Sequence, residues 1–142
     1  MNDVEYKDPN PNCLVVCAKG TEALLADEIR HLGGNVDKEN HIGVYWHGDL
    51  EAAYKVCLWS RLASRLLLPL HECQVDSVDE MYRMAKSVDW PSLFPVDATF
   101  RIDFHGSSRF INNTQFGAQK IKDAVVDCFR EKVGARPDVD KS

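Results

Sequence analysis

With 142 residues, 44% of them hydrophobic and 27% charged, the chain has the composition of one ordinary folded domain or two very small ones. A formal net charge of −5 excludes polyanion binding by the whole surface, so any nucleic acid must meet a local basic patch. The longest apolar run, residues 66–70, is broken by Pro69 and falls far short of a membrane span, which excludes a membrane partner by this route.

Residues 1–12 are acidic and polar, carry Pro9 and Pro11, and are read as a flexible tail without the basic start and apolar stretch of a secretory signal. The cysteines Cys13, Cys17, Cys57, Cys73 and Cys128 are an odd, scattered set. Together with that tail they predict reduced thiols and a cytoplasmic location. Residues 13–18 (CLVVCA) form a nearly continuous apolar run, hence a buried strand. Thr21 is placed to cap a helix whose buried stripe is Leu24, Leu25, Ile29 and Leu32, and which ends at Gly33-Gly34. Two short strands, residues 35–39 and 42–47, flank the turn signal Asn40-His41, and Ile42, Val44 and Trp46 share one face of the second. Asp49 caps a further helix, with Leu50, Ala53, Tyr54 and Cys57 or Leu58 as its apolar side. Residues 64–75 then read as a long strand in which Pro69 marks an edge or a bulge. The order β-α-β-β-α-β over residues 13–75 is the split βαβ, or ferredoxin-like, arrangement, an α+β fold with a four-stranded antiparallel sheet.

A second α/β unit occupies residues 76–142. Residues 78–88 form a helix with Met81, Tyr82, Met84, Ala85 and Val88 as candidate core, broken at Asp89-Trp90-Pro91. Residues 99–104 alternate apolar and polar at strand period, and residues 105–113 are a polar loop. From Thr114 to Lys132 the period becomes helical, with Ala118, Ile121, Val125, Cys128 or Phe129, and Val133 on the apolar side. Asn112, Asn113 or Thr114 can cap that helix, and Gly134 can end it. Helix, strand and helix do not complete a sheet. At least one more strand is expected, so the chain reads as an excerpt cut at Ser142 or as a module that borrows its missing strands.

A strand, a loop and a helix N-terminus together offer backbone N–H groups and a positive dipole end to an anion. Residues 99–137 hold seven Lys and Arg against four Asp and Glu, a basic island on an acidic chain. Ser107, Ser108 and Arg109 of the loop, with Lys120 and Lys122 of the helix, are the candidate phosphate contacts, expected as one cationic ledge. A solvated amphipathic helix with a capping loop explains the same pattern without a ligand. Arg61 and Arg65 stand beside Trp59, where an arginine pair can grip an RNA backbone while the indole stacks on a base. The plainer account makes Trp59 core and pairs the arginines with nearby acids.

No metal site is expected. His71 and Cys73 share a strand face but have no companions, and Cys13 and Cys17 stand about 13 Å apart along a strand. Asp123 and Asp127 lie one helical turn apart among Lys120, Lys122 and Arg130, as on a salt-linked surface rather than in a catalytic pair. The cysteines are read as structural. Nucleophile-elbow, P-loop and dinucleotide fingerprints are missing.

Residues 58–70 (LWSRLASRLLLPL), 99–106 (TFRIDFHG) and 113–127 (NTQFGAQKIKDAVVD), together with 18–25 (AKGTEALL) and 136–140 (RPDVD), resemble the N-terminal region of bacterial 23S ribosomal RNA guanine-N2 methyltransferases. The resemblance implies a ferredoxin-like domain over 13–75 and a partial THUMP domain over 76–142, although the family's boundary can fall near Leu50 and the strand that follows residue 140 there is absent here. It implies an RNA-binding module whose partners are large-subunit ribosomal RNA and a catalytic methyltransferase domain in cis. The methyl donor, S-adenosylmethionine, belongs to that separate domain. This chain has neither its Gly-rich loop nor an Asn-Pro-Pro-type motif, so no cofactor and no catalytic residue is assigned here. Two alternatives remain: an acylphosphatase-type hydrolase, for which Lys19-Gly20-Thr21 is a poor anion loop, and a structural module docking through Ile42, Val44 and Trp46.

Overall fold

The structure is a computed structural model and describes residues 12–140. The expected tail lies outside the described residues except for Asn12, with which the first strand begins. The chain divides into two compact units, one ending at Leu70 and the other running on from His71.

The first unit runs β1 (Asn12–Cys17), α1 (Glu22–His31), β2 (Asn35–Glu39), β3 (Gly43–His47), α2 (Leu50–Trp59) and β4 (Ala63–Leu67). Its sheet has the order β2-β3-β1-β4 with every pair antiparallel, as the ferredoxin-like reading requires. β1 is central because its residues pair on both sides: Leu14 lies opposite Tyr45 of β3 and Leu67 of β4. The expected strand over 64–75 stops at Leu67. Pro69 has no N–H for a ladder, and the chain then runs as loop to Ser77.

Trp46 organises the core of this unit. Its ring is fully buried, and a Cβ on Gly34 or Gly48 would come within 2.5 or 2.9 Å of it. Small residues must therefore surround it, and α2 packs through Ala52, Ala53 and Val56 rather than through its large side chains. The expected α2 face is corrected on this point: Leu50, Tyr54, Cys57 and Leu58 are exposed. On α1, Leu25, Ala26 and Ile29 are buried while Leu24 faces solvent. Val44 and Trp46 sit in the core, so the docking face proposed from Ile42, Val44 and Trp46 does not exist as a surface. Asp49 caps α2 by accepting from Ala52 N–H at 2.7 Å. Thr21 makes no such bond; its hydroxyl donates to Ala18 O at 2.6 Å.

The second unit contains α3 (Val78–Ser87), a 3-10 turn (Trp90–Ser92) and α4 (Thr114–Val133). Ser77 Oγ accepts from Glu80 N–H at 3.2 Å while Glu80 Oε2 accepts from Asp76 N–H at 2.7 Å, so side chains serve both ends of the entry turn of α3. Asn113 Oδ1 caps α4, accepting from Gln115 N–H (2.9 Å) and Phe116 N–H (3.3 Å). Gly134, at φ +76°, ends it in the left-handed conformation that glycine adopts without strain. The core gathers Phe129, Val125, Ala124, Cys128 and Ile111, with Phe94 packed between Phe129 (5.0 Å between centroids) and Phe100 (5.7 Å). The candidate core of α3 is only half-buried, and Val133 is exposed.

Residues 99–104 do not form the expected strand. Phe100 alone pairs, in parallel, with Val139, through Phe100 N–H to Asp138 O (3.1 Å) and Asp140 N–H to Phe100 O (2.9 Å). α4 thus links two segments that meet in this one parallel bridge, at Phe100 and Val139.

Candidate nucleic-acid interface

The loop before α4 is closed by its own bonds. Ser108 N–H donates to Ile111 O at 2.8 Å, and Ile111 N–H donates to Ser108 Oγ at 3.2 Å, while Gly106 turns the chain at φ +97°. Ser107 and Arg109 project from it and are exposed. Arg109 Nη2 meets Asp76 Oδ1 at 2.9 Å, with the two side chains 76% and 83% accessible. So exposed a pair contributes at most about 1 kcal/mol, and another anion can take the place of the carboxylate.

The two helical lysines are not brought together. Residues two apart on a helix point to opposite sides. Lys120 Nζ lies over the Phe116 ring, 5.7 Å from its centroid. Lys122 pairs with Asp123 at 2.9 Å and lines a cavity of about 640 Å³ with Arg101, Asp103, Gln115 and Gln119. The expected single ledge is therefore two separate positions on α4.

Most other cations of this stretch also face acids: Arg101 with Asp103 (2.9 Å), Lys132 with Asp89 (2.9 Å) and Arg130 with Asp127 (3.8 Å). Lys86 of α3 meets Glu131 at 2.5 Å, and that hydrogen bond raises its pKa; Asp89 does the same for Lys132. Asp127 also accepts from Tyr82 OH, which raises the phenol's pKa. Asp123 and Asp127 are thus committed to Lys122 and Tyr82. Sequence reasoning saw the local pairs within α4, whereas Tyr82, Lys86 and Asp89, which meet Asp127, Glu131 and Lys132, lie 43 to 45 residues away along the chain.

In the first unit, Arg61 and Arg65 are exposed, on the α2–β4 connection and on edge strand β4. Trp59, expected in the core on the plainer account, is 65% accessible. The connection is pinned by Glu28 of α1, a residue that nothing in the sequence pattern singled out. Its carboxylate accepts from Ser60 Oγ at 2.5 Å and from Arg61 N–H at 2.9 Å. Burial alone would push the Glu28 pKa up. The bonds from Ser60, Arg61 and Leu62 and the Arg61 charge outweigh it, and the pKa is lowered.

The hydrolase alternative fails at the β1–α1 turn. Gly20 N–H donates to Glu22 Oε2 at 2.9 Å, so the backbone donor an acyl phosphate would need is held by a carboxylate. The shallow cavity there, about 330 Å³, is lined by Lys19, Glu22, Glu39 and His41, without an arginine. Cys57 and Cys73 are exposed, which corrects the reading of all five cysteines as packed structural residues. Among the described residues no group of three or more His, Cys, Asp or Glu is placed to hold a metal ion, and no helix is long and apolar enough to cross a membrane.

Residues 12–67 match the RlmL ferredoxin-like domain, and residues 75–142 match the THUMP domain. The ribosomal RNA large subunit methyltransferase K/L of Shewanella frigidimarina is 49% identical over 130 residues, covering 92% of this chain and 18% of that protein. Its counterpart in Pseudoalteromonas atlantica is 50% identical over 129 residues, covering 90% of this chain and 18% of that protein. The chain spans less than a fifth of the length of these curated relatives. A solved structure from Clostridium difficile 630, described as a possible methylase, superposes with a TM-score of 0.82 at 26% identity, over 94% of this chain and 36% of that one.

Proposed function

This chain belongs to the ribosomal RNA large subunit methyltransferase K/L family, whose ferredoxin-like and THUMP region it carries, and on that premise we propose that it is an RNA-binding module. It holds large-subunit ribosomal RNA in place for methyl transfer performed by the remaining length of such proteins. The observation that carries the reading is the Arg109 loop. Its side chain is 76% accessible, and its acid partner among the described residues, Asp76, is an exposed carboxylate that a phosphate can displace.

In this reading Arg109 and Ser107 hold one phosphate, and the exposed edge of the loop at Ser108 lies beside it. Lys120 serves one side of α4. Lys122, together with Arg101, serves a second position at the cavity. Arg61 and Arg65 add contacts from the ferredoxin-like unit. These contacts position the RNA without reading its sequence.

S-adenosylmethionine, expected for the longer relatives, supplies a methyl group from a cationic sulfonium. The cavity beside α4 sets Arg101 and Lys122 among Asp103 and Asp140, and no residue there is assigned to the cofactor. No step of the methyl transfer is assigned to this chain.

Filter-binding titration with a large-subunit ribosomal RNA fragment at two salt concentrations tests the reading. The triple variant Arg109→Ala, Lys120→Ala, Lys122→Ala should bind more weakly and with a salt slope shallower by about 2, since each lost phosphate contact removes about 0.7–0.9. Equal affinity and slope for wild type and variant would remove these residues from the interface.

A further inference from the structure

Residues 59–65 form a short connection that the rest of its unit holds still. Ser60 Oγ donates to Glu28 and accepts from the N–H groups of Leu62 (3.3 Å) and Ala63 (3.0 Å). Arg61 N–H is taken by the same glutamate, and Ser64 Oγ donates to Val16 O of the neighbouring strand at 2.9 Å. On this fixed backbone an indole stands 65% accessible at the C-terminal end of α2.

A tryptophan left in water forgoes the burial that large aromatic side chains normally contribute to a core. What it retains is an open π-face on a support that does not need to be ordered on binding. One cation, Arg61, follows it on the same connection. The acid facing Arg61 is Glu28, whose oxygens already hold Ser60 and a backbone N–H. A flat aromatic face followed two residues on by a guanidinium is the chemistry that takes a nucleobase and an adjoining phosphate. A base inside a duplex has both faces stacked, so the ligand must be an unpaired nucleotide.

We infer that Trp59 is a stacking platform for one unpaired RNA base, with Arg61 on an adjoining phosphate. The inference rests on the RNA-binding reading above and narrows its ligand from RNA in general to a loop, a bulge or a single-stranded segment. A protein partner would also use Trp, Tyr and Leu. Arg61, whose acid neighbour is already taken up by Ser60 and a backbone N–H, favours the nucleic acid.

The test uses this 142-residue chain and two RNAs of equal length, one a hairpin with an unpaired loop and one a fully paired duplex, at one salt concentration. Trp59→Leu should weaken hairpin binding about tenfold and leave duplex binding within about twofold, because a lost stack removes affinity only where a base is free. Trp59→Phe, which keeps an aromatic face, should stay within about threefold of wild type on the hairpin. Unchanged urea midpoints for both variants keep folding out of the comparison. If wild type binds both RNAs and Trp59→Leu matches it on the hairpin, or loses both RNAs alike, the platform is refuted and RNA binding stands. If wild type binds neither RNA, the proposed function falls and the platform with it. If Trp59→Leu leaves RNA binding intact but abolishes self-association seen by light scattering, the face belongs to a protein contact and the inference is overturned.

Discussion

The two units treat the same kind of sequence pattern differently. In the ferredoxin-like unit, alternating and apolar runs become four strands because each has a neighbour to complete its ladder. In the THUMP unit, residues 99–104 alternate just as cleanly, yet only Phe100 is paired. Alternation decides which side chains face inward; it does not supply the partner that turns an extended segment into a strand. The first unit therefore stands on a four-stranded sheet packed around one buried ring. The second stands on helix packing, a small aromatic cluster and a rim of exposed ion pairs, and that rim is where its cations are available.

The sharpest way to break this contrast is at the buried ring. Trp46→Ala should cost about 3–5 kcal/mol in urea denaturation, since the ring fills a space that Gly34, Gly48 and Ala52 cannot close. Trp46→Phe should cost clearly less: it removes part of the volume, and the buried indole N–H has no hydrogen-bond partner among the described residues. A Trp46→Ala loss below about 1 kcal/mol would mean that the core is organised elsewhere.

Next in size is the Glu28 clamp. Glu28→Gln keeps the shape but loses the charge, and should destabilise by about 1 kcal/mol at neutral pH. The sign with pH follows from the lowered pKa. A carboxylate whose folded pKa lies below its ordinary value of 4.5 contributes stability that is fully present above that value and is lost as pH falls through the folded one. The gap between wild type and Glu28→Gln should therefore close in acid. A gap that persists or widens there would show that the charge is not what holds the connection.

The sequence made the ferredoxin-like order legible because its signals were local: turn chemistry at Asn40, whose Oδ1 accepts from Ile42 and Gly43 N–H (2.9 and 3.2 Å), the cap at Asp49, and the apolar run of β1. Helix faces were harder to read. Hydrophobicity picks out Tyr54 and Leu58, whereas the true inner face of α2 is Ala52, Ala53 and Val56, selected by the bulk of Trp46 on another element. Likewise α4 turns Gly117 toward Phe104, whose ring a Cβ there would meet at 2.7 Å. The candidate site suffered in the same way. Arg109 and Lys132 are visible as charges, but Asp76 and Asp89 become their partners only once α3 and the 3-10 turn pack beside α4. Trp59 could be assigned to core or surface from its neighbours in sequence, and only the tertiary arrangement places it in solvent.

A smaller effect belongs to the cap of α4. Asn113→Ala should cost about 1 kcal/mol, because two N–H groups at the helix entrance lose their acceptor. If the rim is adaptable and the helices carry the fold of this unit, the cap should matter more to stability than any one of the ion pairs. Urea midpoints for Asn113→Ala and Arg109→Ala, compared side by side, check that order.

The smallest stability effect is expected at Asp76, and it separates the two roles of the rim. Asp76→Asn removes the charge opposite Arg109 but leaves the backbone N–H that Glu80 accepts, so α3 keeps its entry turn. With both side chains so exposed, stability should change by less than about 0.5 kcal/mol. RNA affinity should move the other way from a damaging mutation, rising about twofold, because a phosphate no longer competes with a carboxylate for the guanidinium. Filter binding at low salt reads this directly, and raising the salt should erase the difference as the charges are screened. A fall in affinity on Asp76→Asn would mean that the pair orients Arg109 for its ligand. The ion pairs of this unit would then be part of its binding geometry and no longer an exchangeable rim.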